Sequence, residues 1–235
     1  MKKTLWIAMA GALVASVVAA SAQEVLSANA VGYIKKTMPA SGGFVMMSIP
    51  LDSMTETSNV FGRTSVATEA AQGSTVYFWN EISQTWVIGT KGIKGWAAAQ
   101  SNRAVVAGES FFLKSPTNAA APADITITGE VPPTIAQPVI SRSIVGLGNF
   151  NTLANPYPVD FTFGQSQLAA TSAQGSTVFF WDVAGQSWLV GTKGIKGWAA
   201  AQSNRVVAAG DGFFLKASNA TTFVWTEPAA PYTWP

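Results

Sequence analysis

The fifteen-residue stretch GTKGIKGWAAAQSNR runs from Gly89 to Arg103 and recurs letter for letter from Gly191 to Arg205. The match continues on both sides at a constant offset of 102, from Phe61-Gly62 against Phe163-Gly164 to Lys114 against Lys216. Further upstream the offset becomes 106: Tyr33-Ile34 answers Val139-Ile140, Phe44 answers Phe150, and Pro50 answers Pro156. Downstream, DITITGE (Asp124 to Glu130) aligns with TTFVWTE (Thr221 to Glu227). Such a chain is one unit of about a hundred residues written twice, so whatever fold satisfies one half must satisfy the other. The flanks have drifted while the centre has not: in the seventeen positions from Gln72 to Ile88, compared with Gln174 to Val190, eight pairs differ.

Residues 1–22 read as a secretory signal, with Lys2 and Lys3 before the apolar run Leu5 to Val18 and the small residues Ala20-Ser21-Ala22 at the expected cleavage site. The expected organisation is then a first lobe over 23–131, a short stiff linker over 132–138, and a second lobe over 139–235. The linker is marked by the proline-bearing VPPTIAQP. At 48% apolar and 11% charged letters, each lobe has enough material for a core. The expected destination is export, to the extracellular space, the cell surface or the periplasm, with no membrane span in the mature chain.

Within a unit the letters are those of short strands, β-branched and aromatic runs separated by Gly, Pro, Asn and Ser. The pattern predicts seven strands in the first unit, near 31–37, 44–49, 75–80, 85–90, 104–107, 111–115 and 125–128. The segments STVYFWN and TWVIGT, joined by Glu81 to Gln84, read as a hairpin, and one short helix fits in 52–73 and in 164–171. The fold class is all-β: two tandem repeats of a seven-stranded antiparallel unit, a β-sandwich or a small barrel. Continuous apolar runs such as VYFW and FFLK suggest strands covered on both faces, as when the lobes pack on each other.

The phrases SANAVGYI (Ser27 to Ile34), LANPYP (Leu153 to Pro158), GESFFLK and GDGFFLK (from Gly108 and Gly210) and ITITGEVP (Ile125 to Pro132) resemble those of exported bacterial repeat proteins of uncharacterised activity. In these a unit of this layout follows a signal peptide. The resemblance implies a surface or secreted all-β protein and carries over no catalytic residue.

Composition removes several functions. Without Lys2 and Lys3, the fourteen basic side chains become twelve, equal to the twelve acidic ones, and nucleic-acid binding needs a concentrated positive field. No cysteine means no disulfide, and no histidine removes the usual nucleophile triads and the commonest zinc sites. No catalytic, cofactor or metal residues are expected. The acids Glu109 and Asp211 recur before FFLK and read as turn formers; Glu130 and Glu227 recur in the last strand. GTKGIKGW has the lysine and glycines of a phosphate loop without its spacing, and its glycines instead suit a tight reversal.

One constellation invites a ligand. Trp96 follows the glycine-rich turn and precedes Gln100, Asn102 and Arg103; Trp198, Gln202, Asn204 and Arg205 repeat it. An open indole flanked by amides and a guanidinium suits a sugar ring. The alternative is that Trp96 plugs one end of the lobe while Arg103 caps loop carbonyls. Two functions follow: a non-catalytic secreted or cell-envelope protein for structure or adhesion, partnered by neighbouring envelope proteins, or a bivalent binder of extracellular glycan through the repeated loop.

Overall fold

In the computed structural model, which describes residues 30–132, 140–227 and 232, strict strand alternation sends large apolar side chains to both faces of one sheet. That sheet is built from β2 (Phe44–Ser48), β4 (Thr75–Asn80), β5 (Thr85–Thr90) and β7 (Ser110–Lys114), after β1 (Val31–Met38) and the two-residue β3 (Asn59–Val60). Between them lie α1 (Ser65–Glu69), α2 (Ala98–Ser101) and the short β6 (Ala104–Val105), and β8 (Ala123–Glu130) closes the half. The sheet order is β2-β7-β4-β5, all antiparallel, while β1 pairs with β8 and β3 with β6.

The second half has β9 (Ile140–Ile144), β10 (Asn149–Ala154), β11 (Phe161–Thr162), α3 (Gln167–Thr171), β12 (Thr177–Asp182) and β13 (Ser187–Thr192). It continues with α4 (Ala200–Ser203), β14 (Val206–Val207), β15 (Gly212–Ala217) and β16 (Phe223–Glu227). Its main sheet runs β10-β15-β12-β13, β9 pairs with β16, and β11 with β14. The chain is all-β, as the letters predict. Two details differ from expectation: a further strand in each half, β3 and β11, too short to show periodicity, and a one-turn helix inside the repeated block. The expected leader and all but Pro132 of the expected linker lie outside the described residues.

One face of each main sheet makes the lobe's own core. Val45 and Met47, Val76 and Phe78, Phe111 and Leu113 are buried there with Ile125 and Ile127 of β8 and Val66 and Ala67 of α1. The lobe is therefore a small sandwich, the four-stranded sheet against a two-stranded ribbon and a helix. Thr64 caps α1 by accepting from the Ala67 N–H, as Ser166 caps α3 through Ala169. The helix also covers a strand edge: Glu69 and Ser65 accept the Thr126 and Thr128 N–H groups of β8 at 2.7 and 3.1 Å.

The other face makes a seam between the lobes. Phe44, Met46, Tyr77, Trp79 and Phe112 of one sheet meet Phe150, Phe179, Trp181 and Phe214 of the other in a single cluster. Phe112 and Phe214 stack at its centre, 6.5 Å apart, with Trp86 and Trp188 beside them. Polar groups across the seam are exchanged in equivalent pairs. Trp79 donates to the Phe150 carbonyl and Trp181 to that of Phe44, both at 2.9 Å. The Gln84 side-chain amide bonds both the N–H and the C=O of Phe150, and Gln186 does the same to Phe44. Ser48 N–H donates to Gly210 and Ala154 N–H to Gly108, each at 2.9 Å.

Truncating a ring at the centre of this seam leaves a cavity in both lobes' cover. Phe112→Ala and Phe214→Ala are each expected to cost about 3–5 kcal/mol in chemical denaturation. The wild-type chain should melt in one calorimetric transition, and two separated transitions would contradict a seam that couples the halves.

Candidate functional site

The hairpin of β4 and β5 delivers the repeated block to one end of its lobe, and β12 and β13 deliver the second copy. Its turn is closed by reciprocal bonds between Gly92 and Gly95, 2.9 and 3.1 Å, repeated in Gly194 and Gly197. Gly95 and Gly197 sit at φ +91° and +94°, a backbone region open to glycine. The tip they leave is Ile93-Lys94, with Ile93 90% and Ile195 88% exposed.

Behind the tip, side chains turn inward. Lys91 donates to the carbonyls of Ala67, Thr68 and Ala70 at 2.7 to 2.9 Å, filling the carbonyl positions that the end of α1 leaves without partners. Lys193 does the same for α3 through Ala169, Ala170 and Ser172, and burial pushes its ammonium below the usual lysine value. Trp96 is half-buried; its N–H donates to the Ala67 carbonyl at 2.9 Å, and its ring meets Phe61 edge-on at 5.2 Å. Trp198 repeats this with Ala169 and Phe163.

Gln100 is buried and donates to the Ile88 carbonyl on the outer edge of β5, 3.1 Å away. Gln202 repeats the bond to Val190 at 3.4 Å. This explains Gly89 within a strand, since a Cβ there would stand 2.3 Å from Gln100 Cδ. Arg103 lies over the Phe78 ring, 4.7 Å from its centroid, and donates to Glu109 at 2.6 Å. It pairs with that acid rather than with the loop carbonyls expected of it. Arg205 lies 5.4 Å over Phe180, while Asp211, the counterpart of Glu109, pairs across the seam with Lys36. Asn102 and Asn204 are exposed at the ends of α2 and α4. The structure thus gathers Trp96, Gln100 and Arg103 at one end of the lobe and gives each a separate internal partner.

A second charged group went unread in the sequence because its members are far apart in the chain. Arg142 donates to the Gly108 carbonyl at 2.7 Å and to Glu81 at 2.5 Å, bridging the lobes. Glu81 also accepts the Thr152 N–H. Burial raises the Glu81 carboxyl above the usual glutamate range, and the charge of Glu109 adds to it, while Arg142 opposes. The signal that could have found it is the pair Glu81 and Val183, a charged residue answered by an apolar one, in hairpins that differ at seven other pairs.

Among the described residues no group of three His, Cys, Asp or Glu is placed to hold a metal ion, and no helix is long and apolar enough to cross a membrane. Compared with protein-family models, with curated proteins and with solved structures, the chain finds no match.

Gly89→Ala should displace Gln100 from the strand edge at a cost of about 1–3 kcal/mol. In a Gln100→Ala background the same change should cost much less, a coupling read from a double-mutant cycle of denaturation midpoints. Equal costs in both backgrounds would contradict the edge-cover role.

The raised Glu81 pKa sets the sign of a pH dependence. A carboxyl that holds its proton more tightly folded than unfolded contributes stability below its unfolded value, near the reference 4.5, and loses it as pH rises through the folded value. Glu81→Gln should therefore flatten the fall in melting temperature between about pH 4.5 and neutrality, as followed by scanning calorimetry.

Proposed function

We propose that this chain is a non-catalytic secreted or cell-envelope protein, built for structure or adhesion, in which the duplicated block holds each lobe and presents its tip to neighbouring envelope components. The observation that carries this reading is the division of labour within the block. Lys91, Trp96, Gln100 and Arg103 spend their polar groups on their own lobe, while Ile93 and Lys94 reach solvent with no internal partner among the described residues. A lone exposed isoleucine is ordinary on any surface. The same isoleucine beside a lysine at the tip of both hairpins supports a contact made twice, and two weak contacts on one chain gain avidity when a partner spans both. The signal-like leader, and the resemblance to exported repeat proteins, support a place outside the cytoplasm.

Fractionation of cells making the tagged full-length chain tests the reading. The protein is expected with the envelope or in the medium, and Ile93→Asp with Ile195→Asp should release it from envelope material while leaving its circular dichroism and melting temperature unchanged. Cytoplasmic retention of the wild-type chain, or association indifferent to both substitutions, would overturn it. Association competed by soluble glycan and abolished by Trp96→Ala with Trp198→Ala would favour the bivalent carbohydrate-binding alternative.

A further inference from the structure

We propose that the cleft between the lobes binds a planar apolar molecule carrying one anionic group. The cleft is an open groove of about 330 Å³, walled by Trp79, Trp86 and Trp188 with Phe150, Phe179 and Phe214. That volume lies at the small end of the range for ligand sites, about 300–1,000 Å³. Its walls come from both halves, so the site exists only because the seam joins them.

Two indoles of the cleft wall stand apart from the other tryptophans. Seven tryptophans fall among the described residues, and five donate their N–H to a protein acceptor: Trp79, Trp96, Trp181, Trp198 and Trp225. The two that do not are Trp86 and Trp188, both in the cleft wall and 37% and 38% exposed. A seam that needed only to close would cover these rings, whose burial is worth more than that of any smaller side chain. Here they stay open, and the surface they give the cleft is almost wholly apolar, so it suits the face of a flat apolar body rather than a hydrogen-bonding one.

A cation stands beside the cleft. Lys216 stands over Phe150, a ring of the cleft wall, with its ammonium 5.5 Å from the centroid. Among the described residues it has no carboxylate within ion-pair distance. A cationic ligand would be repelled there, whereas an anionic group would find a charge-assisted donor. A sugar is disfavoured, because rings would surround its hydroxyls and leave most of them without partners. What fits is a flat apolar body between the rings with a carboxylate, sulfonate or phosphate at the rim. This inference is independent of the adhesive reading and uses different residues.

The test titrates the intact chain with 1-anilinonaphthalene-8-sulfonate in native buffer, following dye emission and energy transfer from tryptophan. N-phenyl-1-naphthylamine, which lacks the sulfonate, runs in parallel. Saturable binding of one sulfonated dye per chain is expected, with tryptophan emission quenched. Lys216→Gln, an exposed substitution that leaves the core intact, should weaken the sulfonated dye by about three- to fivefold. It should leave the neutral dye's affinity unchanged, and Lys94→Gln should alter neither. Trp188→Ala should reduce both dyes; should that variant not fold, the Lys216→Gln comparison decides alone. No saturable binding to the folded wild-type chain, sulfonate binding indifferent to Lys216→Gln, or equal loss of both dyes in that variant would each overturn the proposal.

Discussion

The structure depends on the period of two in a β-strand. In β4 the even positions, Val76 and Phe78, fill the lobe's own core, and the odd positions, Tyr77 and Trp79, are aromatic as well. A sheet with rings on both faces has no face to give to water, and only another such sheet covers it well. The second half supplies that sheet with its own odd set, Phe179 and Trp181. Each lobe therefore completes the other, much as two subunits complete a dimer through an isologous interface. Duplication within one chain fixes the partner and its stoichiometry together.

A four-stranded sheet also has two open edges, and both sheets close theirs in the same two ways. The β2 edge takes a bond from Ser48 to the Gly210 loop of the other lobe, and the β10 edge takes the equivalent bond from Ala154 to Gly108. The opposite edges, β5 and β13, receive Gln100 and Gln202 from within the repeated block. Unpaired strand edges invite pairing with other chains. The block thus joins three tasks in fifteen letters: it covers an edge, finishes a helix through Lys91 and plugs the lobe with Trp96. That concentration of roles gives a physical reason for the same letters in both copies, and it leaves the side chains of Ile93, Lys94 and Asn102 without an internal partner among the described residues.

The halves are not equivalent in charge. At one place across the seam Arg142 meets Glu81, while its counterpart Lys36 meets Asp211. Buried or half-buried ion pairs contribute little net stability but are costly to break singly, so each pair fixes how the lobes are seated more than how tightly. The rings between these pairs do most of the holding, and where Trp86 and Trp188 fall short of full cover the seam opens into an aromatic cleft.

Much of this was legible in the sequence. Strands β4 and β5 appear where the apolar runs place them, the Glu81 to Gln84 turn joins them, and one short helix falls in each long connection. These features are local, set by alternation, turn residues and a Thr or Ser cap. Trp96 could be read only as an indole after a glycine turn, open or plugged, because the acceptor of its N–H lies twenty-nine residues away in α1. For the same reason Gly89 could be read only as a glycine ending the strand before a tight reversal, although its cause is the Gln100 side chain folded against it. Sequence alone determined an all-β chain carrying a duplicated unit, since periodicity and repetition are properties of neighbours in the chain. Tertiary structure decided which rings face which, where the edges are covered and where a cleft remains, because those depend on groups brought together only by packing one half on the other.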